Sequence, residues 1–163
     1  MIRLLHDRAA TGLLRVEGAA QHYLFDVHRL KAGDALEVFD GRGKAFAARV
    51  KDEHTLELFD AVEAPRVRDV TVVQGMPKAD KLELVVQKAS ELWASALVPA
   101  FCERSVVKSS DNDQKKQARW QKIADEAARQ CGRSTVMAVE PPVSLGAVLR
   151  MSALWPSTCS GAM

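Results

Sequence analysis

The sequence predicts an α/β protein with a β-rich amino-terminal module and a second domain built on a parallel sheet. Short segments that alternate apolar and polar residues flank a glycine-rich turn between residues 36 and 59. A Val/Thr-rich run, an amphipathic helix and another apolar run follow from 70 to 101. Pro65 lies where one pattern gives way to the other. We therefore divide the chain into an amino-terminal module (1–68), a second domain (69–150) and an irregular tail (151–163).

Length and composition exclude several classes of protein. The chain has 163 residues, of which 47% are hydrophobic and 27% charged, so it can bury real cores and disorder is not expected. It has no apolar run of about 18 residues and no signal-peptide core, so we expect a cytoplasmic protein without a membrane partner. The widely spaced Cys102, Cys131 and Cys159 predict neither a disulfide framework nor a zinc site. A net charge of +2 does not by itself indicate nucleic-acid binding.

The amino-terminal module is predicted to hold one helix and three strands. The helix is predicted within residues 18–30, and the turn residues Gly33-Asp34 that follow stop it from continuing. Two strands, around 36–38 and 46–50, are joined by a hairpin at 40–43, and a third follows at 55–59. The cations Arg29, Lys31, Arg42 and Lys44 form either a basic edge for phosphate or an ordinary solubilising surface.

The second domain is predicted to start with a β-α-β unit. A strand at 70–74, expected to be buried on both faces, precedes a helix that Asp80 caps with Glu83 in a capping box. The core face of this helix is predicted to hold Leu82, Val85, Val86, Ala89, Leu92 and Trp93. The next strand covers 96–101, and ligands of such sheets bind beyond the carboxyl ends of the strands, here residues 75–78 and 102–108.

A second long helix is predicted over 113–131, ended by Gly132 and followed by a strand at 135–139 and a short apolar segment at 144–150. Its outer stripe is predicted to contain Arg119, Lys122, Glu126, Arg129 and Arg133. The first helix has a comparable outer stripe of Lys81, Leu84, Lys88 and Glu91. Such a stripe indicates either a face that meets a partner or a solvated helix surface.

Familiar catalytic and metal-binding patterns are not found in the sequence. There is no glycine-rich phosphate loop, and Asp40-Gly41-Arg42-Gly43 is best explained as a hairpin turn. The four histidines are not grouped with acids or cysteines, so neither a metal site nor a nucleophilic triad is predicted. Cys131 lies on an apolar helix stripe and is expected to be a small core residue rather than a reactive thiol.

Several separated stretches resemble the ribosomal RNA small subunit methyltransferase E family. In the amino-terminal module these are His22-Tyr23-Leu24, Arg29-Leu30-Lys31, Gly33-Asp34 and Phe39-Asp40-Gly41. In the second domain they are Lys78, Asp80-Lys81, Gln87-Lys88-Ala89, Glu91-Leu92, Glu103-Arg104-Ser105-Val106-Val107-Lys108, Arg119-Trp120, Lys122-Ile123-Ala124, Glu126-Ala127-Ala128 and Gln130-Cys131-Gly132-Arg133. Together they cover most of residues 20–145.

The resemblance implies a PUA-like β-barrel that binds RNA, followed by a SPOUT-type α/β domain. The family methylates a uridine N3 of small-subunit (16S) ribosomal RNA with S-adenosylmethionine, acts as a homodimer, and binds its cofactor in a carboxyl-terminal trefoil knot. The residues that the resemblance suggests for RNA binding are Arg29, Lys31, Lys78, Lys81, Lys88, Arg104, Lys108 and Arg133. Supporting roles are suggested for Glu91, Glu103, Glu126 and Gln130. Arg104 and Arg133 are expected to stabilise a uridine anion or grip phosphate, and no catalytic proton acceptor is identified.

The sequence also departs from the family pattern. The Gly-Pro-Glu-Gly-Gly loop of the cofactor site is not found, so no cofactor-binding residue is identified and we expect a truncated or frameshifted chain that lacks the knot and is inactive alone. The alternative is a non-catalytic protein that binds ribosomal RNA. Residues 144–150 resemble either the segment after the third strand, which we favour, or a motif near the family's end. Trp93 stands at a usual glycine position, so a left-handed helix ending is not assumed there and Trp93 is expected to pack in the core.

Overall fold

The computed structural model of this protein describes residues 1–63, 69–78, 81–103 and 112–152. The amino-terminal module contains β1 (Arg3–Leu5), β2 (Gly12–Arg15), α1 (Gly18–Gln21), a π-helical segment (His22–Val27), β3 (Ala35–Phe39), β4 (Lys44–Asp52) and β5 (Thr55–Glu63). These strands form one sheet in the order β1-β3-β4-β5-β2. β1 is parallel to β3, and the other neighbours are antiparallel.

The three predicted strands and their hairpin are confirmed, and the sequence prediction missed β1 and β2. These two strands have three and four residues, too few to show an alternating pattern. The inward side chains of the sheet pack with Leu24 of the helical segment, which is fully buried. Within the described residues no pairing joins β1 to β2, so this sheet is open at that point and the predicted barrel is not closed.

The second domain contains β6 (Thr71–Gly75), α2 (Lys81–Glu91), β7 (Ala96–Phe101), α3 (Asp113–Cys131), β8 (Ala138–Val139), β9 (Val143–Ser144) and α4 (Leu145–Ser152). All of its strand pairs are parallel, and β7 lies in the centre, between β6 on one side and β8 and β9 on the other. The predicted β-α-β unit and parallel sheet are therefore confirmed. The prediction that the first strand is buried on both faces is wrong, because β6 is an edge strand among the described residues and Val73 is 41% exposed.

The two long helices pack their predicted apolar faces against the parallel sheet. Leu82, Val86 and Ala89 of α2 and Trp120 and Ala124 of α3 belong to one buried cluster. The start of α2 at Asp80 lies outside the described residues. α3 ends at Cys131, and Gly132 follows it in the left-handed conformation as predicted (φ 83°).

The end of α2 differs from its prediction. Trp93 adopts the left-handed conformation (φ 67°) that its side chain disfavours. The N–H of Trp93 bonds to the carbonyl of Ser90 (3.0 Å) and that of Ala94 to the carbonyl of Ala89 (3.0 Å), which is a Schellman ending. This turn directs Leu92 into solvent, where it is 82% exposed, so its predicted core position is wrong. Trp93 itself is half-buried.

Contacts between the two modules are made mainly by Arg3 and by the β3–β4 turn. Arg3 Nη1 donates to the carbonyls of Ala128 (3.0 Å) and Arg133 (3.1 Å), at the negative end of α3. In the turn, the Gly43 N–H donates to the Ser134 carbonyl (3.1 Å), and the Gly41 carbonyl accepts from the N–H of Val136 (2.9 Å). These bonds fix the turn against the second domain.

Candidate functional site

The carboxyl ends of β6 and β7 lie side by side, as a parallel sheet requires. Met76 N–H donates to the carbonyl of Ala100 (2.8 Å), which continues the pairing past the end of β6. A Cβ placed on Gly75 would lie 3.3 Å from Cys102 Sγ, so the thiol fills the space beside this glycine. Lys78 and Glu103, two of the predicted site residues, are exposed next to these strand ends. Arg104 and Lys108 lie outside the described residues.

The predicted outer stripe of α2 faces solvent. Lys81, Leu84 and Lys88 are exposed, and Leu84 is 59% exposed. Glu91 Oε2 lies 2.7 Å from Lys88 Nζ, and this hydrogen bond holds the pKa of the Glu91 carboxyl below its ordinary value. The stripe therefore presents the cation Lys81, a partly neutralised Lys88–Glu91 pair and one leucine. Its use as a contact face stays a prediction.

Arg29 and Lys31 lie just after the π-helical segment, on the surface of the amino-terminal module. Arg29 has a left-handed backbone (φ 53°), and both side chains are exposed. The Lys31 N–H donates to Asp34 Oδ2 (2.8 Å), which holds the turn that carries both residues. Among the described residues neither side chain has a hydrogen-bond or ion-pair partner. They are accessible for phosphate contacts.

Arg133 does not fit its predicted role, because its side chain is buried and only 2% of the residue is exposed. Its Nη1 donates to the carbonyls of Ser90 (2.8 Å) and Ala94 (2.9 Å), and its Nη2 to Thr135 Oγ1 (3.0 Å). The guanidinium carbon lies 5.4 Å from the Trp93 ring centroid. Burial lowers the pKa of the Arg133 guanidinium below its ordinary value. Arg133 therefore holds the end of α2 in place and is not available to grip RNA phosphate.

The two remaining supporting residues, Glu126 and Gln130, act on Arg129. Gln130 Nε2 donates to Glu126 Oε1 (3.2 Å), and Glu126 forms an ion pair with Arg129. The Arg129 guanidinium carbon lies 4.7 Å from the ring centroid of Tyr23 in the other module. This cation–π contact places Arg129 in the junction between the modules, with Glu126 and the exposed Gln130 at its edge.

The sequence prediction did not identify a groove next to the β3–β4 turn. It has a volume of about 500 Å³ and is lined by Ala9, Ala10, Thr11, Asp40, Arg42, Lys44, Phe46 and Ala61. Arg42 and Lys44 were predicted as part of a basic edge. The opposite wall of the groove is formed by the loop between β1 and β2. Because the sequence pattern did not predict these two strands, it could not indicate a concave site there.

Among residues 1–63, 69–78, 81–103 and 112–152, no group of three or more His, Cys, Asp or Glu side chains could hold a metal ion. None of the helices described there is long and apolar enough to cross a bilayer.

Comparisons with known proteins agree with the fold. An RNA methyltransferase domain family matches residues 63–155, and an RNA methyltransferase PUA domain family matches 16–59. The ribosomal RNA small subunit methyltransferase E of Synechocystis is 35% identical over 78% of this chain and 43% of its own length. That of Bacillus subtilis is 35% identical over 74% of this chain and 50% of its own.

A solved structure gives the same result in three dimensions. The Neisseria gonorrhoeae ribosomal RNA small subunit methyltransferase E, bound to S-adenosyl methionine, matches with a TM-score of 0.80 at 26% identity. The match covers 91% of this chain and 65% of that protein. The chain spans about half the length of the curated relatives it matches. Its two matched domains and its fold show that the chain belongs to the ribosomal RNA small subunit methyltransferase E family.

Proposed function

We propose that this chain takes part in S-adenosylmethionine-dependent N3-methylation of a uridine in 16S ribosomal RNA. The observation that carries the proposal is the pair of family matches, a PUA domain over 16–59 and an RNA methyltransferase domain over 63–155, in modules that share a hydrogen-bonded junction. Curated relatives are named ribosomal RNA small subunit methyltransferase E. Such an enzyme must hold RNA across both modules while one base is presented for reaction.

The RNA surface in this proposal uses exposed cations from both modules. Arg29 and Lys31 come from the first module, and Lys78, Lys81 and Lys88 from the second. Arg104 and Lys108, which follow β7 in the sequence, complete the proposed set. Lysine and arginine contacts to phosphate fix the register of the RNA and make binding depend on salt. Glu91 and Glu103 keep a supporting role, since Glu91 orients Lys88 by its ion pair.

No residue that would hold the methyl donor is identified in this chain. At the strand ends where a ligand is expected, the Cys102 thiol lies beside Gly75. The Gly-Pro-Glu-Gly-Gly loop of the family's cofactor site does not occur among these 163 residues. This observation favours a second candidate function for residues 1–163 alone, which is binding of ribosomal RNA without methyl transfer.

Calorimetric titration with S-adenosylmethionine, run beside RNA-binding and methyl-transfer assays on small ribosomal subunits, separates the two functions. Saturable heat and transfer of a labelled methyl group to uridine N3 support the first. RNA binding without heat or transfer supports the second. A chain that binds no ribosomal RNA contradicts both. We expect Arg29→Ala to lower the slope of log affinity against log salt by roughly 0.7 for a single-stranded contact, with Lys51→Ala, another exposed cation, as the matched control.

We also propose that the protein works as a homodimer in the cytoplasm, where small subunits are assembled. The exposed Leu84 and Leu92 of the α2 region are available to an apolar interface. Light scattering on the purified chain gives its mass directly. A monomer at concentrations well above those used for RNA binding contradicts the dimer for this chain.

A further inference from the structure

The groove beside the β3–β4 turn has the size and chemistry of a small-ligand site. Its volume of about 500 Å³ lies within the range of about 300–1,000 Å³ that is usual for ligand pockets. Three alanines and Phe46 give it an apolar surface, and Phe46 is 4% exposed, so it forms a closed floor. Thr11, Asp40, Arg42 and Lys44 add polar and charged groups around that surface.

The two cations of the groove are available to an anion. Arg42 and Lys44 are exposed, and in the part of the chain that the structure describes neither side chain has a hydrogen-bond or ion-pair partner. In the described part of the chain Asp40 forms no ion pair with either cation, and its Oδ1 accepts the backbone N–H groups of Arg42 (2.7 Å) and Lys44 (3.0 Å). Its Oδ2 has no described partner and can accept from an N–H donor of a ligand.

The turn that carries these groups is held rigidly. Gly41 has φ +75°, and a Cβ there would lie 3.1 Å from Leu5 Cδ1 and 3.2 Å from Val136 Cγ2. The turn also exchanges backbone hydrogen bonds with residues 134 and 136 of the methyltransferase domain. A ligand held by Arg42 is therefore fixed relative to both modules, and little ordering free energy is lost on binding.

We infer that this groove binds one nucleotide of the RNA, an inference that rests on the proposed function. The base lies against Ala9, Ala10 and Ala61 over the Phe46 floor, and its N–H edge donates to Asp40 Oδ2. Arg42 and Lys44 grip the adjoining phosphate. A simple inorganic anion uses neither the apolar surface nor a carboxylate acceptor, whereas a nucleotide uses both in addition to the cations.

The test measures binding of a fluorescein-labelled ten-residue oligouridylate to the full chain by anisotropy, between about 50 and 300 mM salt. Each single-stranded phosphate contact contributes roughly 0.7 to the salt slope, equivalent to about fivefold in affinity at 0.1 M salt. The double variant Arg42→Ala/Lys44→Ala is expected to bind about 25-fold more weakly with a slope smaller by about 1.4. The matched control Arg49→Ala/Lys51→Ala removes one Arg and one Lys from the exposed side of β4, the strand that follows the turn. It is expected to change the affinity for the oligouridylate less than threefold.

A second variant tests the apolar part of the groove without changing its charge. Ala61→Ile narrows the groove and is expected to weaken binding at least fivefold with an unchanged salt slope. In ¹H–¹⁵N spectra, uridine 5′-monophosphate is expected to shift the amides of Thr11, Arg42 and Ala61. Equal affinities for wild type and the groove variants overturn the nucleotide site and leave the proposed function intact. No binding by the wild-type chain to this RNA or to small-subunit RNA overturns the proposed function itself.

Discussion

Replacing Arg133 by alanine is expected to destabilise the fold strongly, since its guanidinium is a buried structural group. Besides the bonds to Thr135 Oγ1, the substitution removes two hydrogen bonds from a charged donor to the carbonyls of Ser90 and Ala94 and the cation–π contact with Trp93. Charged hydrogen bonds contribute about 1.5–3 kcal/mol each and a cation–π contact about 0.5–1 kcal/mol, so the free energy of unfolding should fall by about 4 kcal/mol. Since the free energy of unfolding falls by about 2 kcal/mol for each molar of urea, the urea concentration at the unfolding midpoint should fall by about 2 M.

Urea unfolding followed by far-UV circular dichroism measures this loss. Arg133→Lys keeps the charge and loses the planar fork, so its midpoint should lie between those of wild type and Arg133→Ala. Arg29→Ala, on an exposed cation, is the control and should leave the midpoint within about 0.3 M. If Arg133→Ala unfolds like wild type and loses RNA affinity instead, the structural reasoning is wrong and Arg133 is an RNA contact.

Three further substitutions test the junction and the amino-terminal module. Arg3→Met keeps the apolar stem and removes the donors to the end of α3, so hydrogen exchange at the α3 carboxyl end should accelerate about tenfold or more while the β4–β5 amides are unaffected. His6→Gln should flatten the pH dependence of stability. Burial lowers the pKa of His6 despite the nearby Asp7, so as the pH falls below about 6.5 the unfolded state binds the proton first and the wild type loses stability. Urea midpoints of wild type and variant at pH 7 and pH 5 measure this difference. Gly41→Ala should lower the free energy of unfolding in urea by about 2–3 kcal/mol, against about 1 kcal/mol for the control Gly33→Ala. Both glycines have positive φ, but of the two only Gly41 lacks space for a Cβ. Equal losses of stability contradict the packing argument.

The elements with a long periodic signal were predictable from the sequence. α3 was predicted with its bounds and its Gly132 ending, because 19 residues give several repeats of the apolar stripe and only glycine adopts φ > 0 without cost. β7 was predicted because it is a continuous apolar run. β1 and β2 were not, since three- and four-residue strands are stabilised by their neighbours rather than by their own pattern.

The fate of single side chains at helix ends was not predictable. Helical spacing places Leu92 on the core face, but the helix ends at Glu91. The left-handed turn at Trp93 then directs the Leu92 side chain into solvent. The same turn explains Arg133, whose charge suggested a surface position. The carbonyls of Ser90 and Ala94 at the end of α2 accept hydrogen bonds from Arg133, which lies 43 and 39 residues further along the chain. Such a long-range pairing has no local signal.

The bond between Arg3 and the end of α3 has a consequence for how the protein is made. Arg3 leaves the ribosome among the first residues, and its acceptor on Ala128 lies 125 residues later, about 6–25 s of translation. During that interval the nascent amino-terminal sheet holds β1 by its pairing with β3, by Leu4 in its core and by the Arg3–Glu37 ion pair, while Arg3 Nη1 still lacks its acceptors on α3. Synthesis of the α3 carboxyl end therefore completes the amino-terminal module as well, so a stall before residue 128 should leave β1 sensitive to proteases.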